Sequence, residues 1–101
     1  MEYNIVVSNR TKQMLGNHLN FLSTVNKDAA KETKQKIING LNSLNKMPAR
    51  FPFFNEQYIP QNKYHKMYIE NWYLVLFQIK DSTVYIDYIV DCRQDYGWLI
   101  K

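Results

Sequence analysis

The hydrophobic period of this chain changes once, and that change limits what the chain can fold into. Up to about residue 45 the apolar residues recur every three or four positions, whereas from Lys63 onward they recur every two. The first spacing buries one stripe of an α-helix, and the second buries one face of a β-strand. Between them, Lys46 to Asn62 carries Pro48, Pro52 and Pro60, which exclude a regular helix or central strand. Phe51, Phe53, Phe54 and Tyr58 make the same stretch too apolar for a free linker. It is expected to be a packed loop over one edge of the core.

Before the first helix, Tyr3 to Ser8 reads as a strand through Ile5, Val6 and Val7. Ser8 or Asn9 can then accept a free backbone N–H and start a helix over about Thr11 to Val25. Its stripe is Met14, Leu15, His18, Leu19, Leu22 and Val25. Asp28 favours a second helix start, with Ala30, Thr33, Ile37, Leu41 and Leu44 facing inward as far as about Asn45. A link of two or three residues makes the two helices an antiparallel hairpin. In the β region, Tyr64, Lys66 and Tyr68 share one side and His65, Met67 and Ile69 the other. Trp72 to Ile79 is nearly all apolar, as a strand covered on both faces should be. Across Thr83 to Cys92, simple alternation puts Val84, Ile86, Tyr88, Val90 and Cys92 on one face. Tyr85, Asp87, Ile89, Asp91 and Arg93 fall on the other.

The short link between Lys63–Glu70 and Trp72–Ile79 and the tight turn at Asp81-Ser82 make these three strands an antiparallel meander. The order is therefore β-α-α-β-β-β, with a short turn or helix expected at Gln94 to Ile100. The fold class is α+β: a helical hairpin on a mostly antiparallel four-stranded sheet, with residues 1–101 as a single domain.

Composition removes several function classes. One cysteine, Cys92, forms no intrachain disulfide, and His18 with His65 are too few for a good zinc site, so no metal or cofactor is expected. No Gly-rich phosphate loop or serine nucleophile motif is present. The N-terminal residues lack a signal-peptide pattern, and no apolar run approaches a membrane span, so a cytoplasmic protein is expected. Residues 1–66 hold ten Lys/Arg against four Asp/Glu, while residues 67–101 hold three against five. A basic first two-thirds suits nucleic acid or an acidic protein.

The order of elements resembles the RelE/ParE toxins of bacterial type II toxin–antitoxin systems. Loose motifs add to it: His65-Lys66 on a basic strand, Asn71-Trp72 at a hairpin, Leu74 to Ile79, and the ending Arg93-Gln94-Asp95-Tyr96. Leu44 to Pro48 also resembles the family's exit from its second helix. The layout covers the whole chain, the motifs only its last third. Many relatives carry Arg in the second strand, where this chain has His65 and Lys66.

The resemblance implies a toxin held in check by a cognate antitoxin whose disordered segment folds on binding. The RelE branch implies a metal-free, ribosome-dependent mRNA endoribonuclease, an mRNA interferase that blocks translation and arrests growth. Arg93 would then hold the phosphate, Tyr96 stack on a base or move a proton, and His65 act as acid or base beside Lys66. Lys63 and Arg50 would steer the RNA backbone. The endoribonuclease is the expected activity; the alternative, implied by the ParE branch, is a non-enzymatic inhibitor of DNA gyrase, which the Arg-Gln-Asp-Tyr ending resembles at least as much. Each residue also has a plainer reading. Arg93 can pair with Asp91 or Asp95, Tyr96 can anchor a turn, His65 can be a satisfied half-buried histidine, and Lys66 can sit on a solvated edge.

Overall fold

Capping residues decide where the helices begin and end. The computed structural model, which describes residues 2–57 and 59–91, contains β1 (Asn4–Val7), α1 (Asn9–Val25), α2 (Lys27–Asn42), β2 (His65–Ile69), β3 (Tyr73–Lys80) and β4 (Thr83–Asp91). Ser8 ends β1 and opens α1, its Oγ accepting the Thr11 N–H at 3.1 Å. Asn26 alone joins the helices, a tighter link than expected. Its N–H donates to the Leu22 carbonyl at 2.9 Å, and its side-chain oxygen accepts the Ala29 N–H at 3.1 Å. α2 stops at Asn42, and Leu44 reaches the core from a 3-10 turn over Ser43–Asn45.

The sheet order is β1-β4-β3-β2, with β1 parallel to β4 and both other pairs antiparallel. The connection through the helical hairpin carries the chain from β1 to the opposite edge, and the meander β2-β3-β4 brings it back so that β4 lies parallel to β1. Both tight links use left-handed residues. Glu70 and Asn71 have φ of 55° and 60°, and Asp81 has φ of 54°. That is the sign a short hairpin turn requires, borne here by side chains that reach it at some cost.

The main core lies between helices and sheet. Ile37, Leu41 and Leu44 pack on Met67, Ile69, Tyr73, Val75, Phe77, Val84, Ile86 and Ile89. On the opposite face Leu74 and Leu76 are closed over by Phe54, Tyr64 and Ile59. β3 is therefore covered on both sides, as its unbroken apolar run requires. The proline segment wraps the β2 edge: Phe53 bridges His65, Phe51 joins the helix-side core and Phe54 the opposite one.

Two expectations need correction. The α1 stripe holds from Met14 to Leu22, all half-buried, but it begins one turn earlier at the fully buried Thr11 and does not include Val25, which is 75% exposed. More consequential is β4, where the register with β3 slips: Leu76 pairs Tyr88 but Phe77 pairs Ile86. This bulge inserts Asp87 as an extra residue and resets the alternation. Val84, Ile86, Ile89 and Asp91 face the helices, whereas Asp87, Tyr88 and Val90 face away. The C-terminal turn expected at Gln94 to Ile100, together with Cys92, lies outside the described residues.

Candidate functional site

The four predicted site residues that are described, Arg50, Lys63, His65 and Lys66, do not gather at one point. His65 and Lys66 are consecutive in β2 and so project to opposite faces. The His65 ring lies between Phe53 and Phe77, at centroid distances of 4.2 and 5.4 Å, and its Nδ1 donates to the Phe51 carbonyl at 2.8 Å. Its setting is half-buried and hydrogen-bonded. Lys66, on the other face, holds its ammonium 5.9 Å from the Phe54 ring centre. Arg50 donates to the carbonyls of Lys46 and Met47 and stacks 4.4 Å over Phe51, which pins the exit from α2. Lys63 is exposed and lies 5.2 Å over the Tyr64 ring. Arg93, Tyr96 and the loop residue Tyr58 lie outside the described residues.

A different polar cluster assembles on the outer face. β1 pairs β4 only as far as Ile86, so among the described residues the edge of β4 beyond that point has no neighbouring strand. Arg10, in the first turn of α1, reaches past the end of β1 to donate to the Tyr88 hydroxyl, with its guanidinium 4.9 Å from the centre of that ring. Tyr88 meets Tyr64 edge to face at 6.0 Å. Asp87, turned outward by the bulge, accepts from the Gln78 amide at 2.7 Å and bonds the Tyr64 phenol. Burial and the Asp87 carboxylate push the Tyr64 phenol up to about 12. Ser8, Arg10, Lys63, Tyr64, Gln78, Asp87 and Tyr88 line a groove of about 500 Å³.

Sequence reasoning missed this cluster because simple alternation put Asp87 and Tyr88 on opposite faces. One signal was legible. A helix first turn favours an acidic residue, yet α1 has none there and carries Arg10. A cation against that dipole calls for a tertiary partner, and Tyr88 supplies it.

On the helix side, the bulge turns Asp91 toward α1. His18 Nε2 is 2.8 Å from the Tyr73 hydroxyl and 3.9 Å from Asp91 Oδ2, tying α1 to the start of β3 and the end of β4. Beside it, a cavity of about 240 Å³ opens between α2 and the β2–β3 hairpin, lined by Thr33, Ile37, Ile69, Trp72 and Tyr73 among others.

No protein-family model matches the chain, and no curated protein matches it in sequence. Among solved structures, it is similar to a chain described as "Chromosomal ParDE TA system from P. aeruginosa", with a TM-score of 0.71. The match covers 89% of this chain and 96% of that one at 12% identity. The chain has the RelE/ParE-like fold. The likeness is one of backbone, so the side chains mounted on the RelE/ParE-like frame are largely this chain's own. Among the described residues, no three His, Cys, Asp or Glu side chains gather as a metal site, and no helix is long and apolar enough to cross a membrane.

Proposed function

We propose that this chain is the toxin of a type II toxin–antitoxin pair, and that it works by binding a protein target, as the ParE branch does with DNA gyrase. Support for the pair comes from the RelE/ParE-like fold, matched over most of both chains to a member of a ParDE system. The mode rests on one observation: His65 and Lys66 face opposite ways, with the His65 ring enclosed by Phe53 and Phe77. Transesterification of RNA needs a phosphate-binding cation, a proton acceptor and a proton donor around one phosphorus. A pair split across a sheet cannot serve one phosphate.

The ribosome-dependent endoribonuclease is the second reading. Lys63, Lys66 and Arg10 near one face favour it, and it would rest on Arg93 and Tyr96 for its chemistry. In either mode the expected partner is an acidic antitoxin segment, and the expected compartment is the cytoplasm. The test is induction of the chain alone in a bacterial host, with mRNA 5′ ends mapped and gyrase cleavage assayed on purified protein. Growth arrest with trapped gyrase–DNA breaks and intact mRNA supports the protein-binding mode. New mRNA cuts that disappear in a folded Arg93→Ala variant move the assignment to the nuclease. No arrest under confirmed expression removes the toxin assignment.

A further inference from the structure

We infer that the cleft between α2 and the β2–β3 hairpin is a docking groove for a partner polypeptide that inserts one aromatic side chain flanked by basic residues. The cavity of about 240 Å³ has a buried floor of Ile37, Ile69 and Tyr73 and walls that include Thr33 and the exposed Trp72. A dry apolar cavity of about 150 Å³ takes a benzene ring, so this one holds the ring of a single phenylalanine with room at its mouth. A second hollow of about 440 Å³ continues along α2 past Gly40 to Ser43 and Phe51, and the two share Lys36, Ile69 and Glu70. Together they follow α2 from Ala29 to its cap at Ser43. At the rise of a helix that is about 20 Å, the length of about six extended residues. A small molecule needs only the cavity, whereas a groove of this length fits a chain.

The rim sets the sign of the partner's charge. Its charged side chains are Glu32, Lys36 and Glu70. Lys36 is taken by Glu32 at 3.3 Å, and Glu70 joins no ion pair among the described residues. The surplus is therefore one carboxylate, at the hairpin turn beside the cavity. An ammonium or guanidinium next to the aromatic anchor meets Glu70, and the exposed ring of Trp72 offers it a cation–π surface. An acidic segment, as expected of the antitoxin, gains nothing at this rim, so the groove suits a separate, basic partner. Buried aromatic anchors supply most of the binding energy at protein interfaces, and here the charge selects the segment that carries one.

The experiment titrates the full chain with the capped peptides Ala-Arg-Phe-Ala-Arg-Ala, Ala-Arg-Ala-Ala-Arg-Ala and Ala-Glu-Phe-Ala-Glu-Ala and with phenethylamine, followed by backbone amide and indole N–H shifts. Saturable binding of the first peptide is expected, with the largest shifts in α2 and the β2–β3 turn. Loss of the phenylalanine ring should weaken it roughly tenfold. Exchange of arginine for glutamate should weaken it about two- to fivefold, as suits an exposed charge. Thr33→Leu fills the cavity and Ala29→Leu narrows its mouth, and each, shown folded by its thermal melt, should weaken the first peptide roughly tenfold. Glu70→Lys should abolish the preference for arginine over glutamate. An absence of saturable shifts, or unchanged affinity in both cavity variants, would overturn the inference. Equal affinity for phenethylamine would overturn it as well, since the cavity alone then suffices. So would preference for the glutamate peptide, which would assign the groove to an acidic segment. Peptide binding and growth arrest are separate readouts, so failure of either leaves the other standing.

Discussion

Glycine-to-alanine exchange at the two helical glycines should move stability in opposite directions. Gly16 lies in the middle of α1, and a Cβ built there meets nothing within 4 Å. Ala is favoured over Gly inside a helix by about 1 kcal/mol, and Gly16→Ala should gain that in full. Gly40 lies where α2 crosses β2, and a Cβ there would sit 2.7 Å from Ile69 Cδ1 and 2.8 Å from Cγ1. Ordinary carbon contacts are about 3.5–4.0 Å, so the side chain must retreat by nearly an ångström. Turning the terminal methyl moves Cδ1 but not Cγ1, and Ile69 is only 6% exposed within the core. Overpacking of this kind costs about 1–3 kcal/mol. Less the helical gain, Gly40→Ala should be destabilising by up to about 2 kcal/mol. For a chain of this size 1 kcal/mol is a Tm change of about 4–8 °C, so thermal and urea unfolding resolve the two signs. In an Ile69→Ala background, itself destabilised, Gly40→Ala should become stabilising. The close-approach reasoning fails if Gly40→Ala stabilises like Gly16→Ala, or if its cost persists without the Ile69 side chain.

Three further outcomes follow from other contacts. The Tyr64 phenol titrates near 12 in the fold against 10.0 ordinarily, so the unfolded chain ionises first. Its contribution is whole below pH 10 and lost as pH rises toward 12, and urea midpoints across that window should flatten in Tyr64→Phe. Asn26→Ala removes the side-chain cap of α2 and should lower unfolding free energy by about 1 kcal/mol, while Asn26→Asp, which keeps the acceptor oxygen, should stay near the parent. His65→Phe preserves the ring stack between Phe53 and Phe77 and should retain growth arrest on induction, whereas loss of arrest in a folded variant would give the imidazole a chemical role.

The sequence by itself determined the element types, their order and most inward faces. Those rest on local spacing: the 3.6-residue stripe through Ile37, Leu41 and Leu44, the alternation of His65, Met67 and Ile69, and the cap at Ser8. It also placed His65 and Lys66 on opposite sides of β2, which separates two members of the expected catalytic set. What only tertiary structure decided is the direction of the second half of β4. Tyr88, Ile89 and Val90 are all apolar, so either register buries acceptable side chains, and the pattern cannot choose between them. Pairing with β3, covered on both faces, admits a bulge at Asp87. That one inserted residue brings Asp91 beneath His18 and puts Asp87 and Tyr88 together on the outer face. Arg10 meets Tyr88 across 78 positions because β1 stops at Val7 and its pairing with β4 ends at Ile86. Periodicity reports which face of an element is apolar. It carries no information about where a neighbouring strand ends, and the polar groove exists because of that ending.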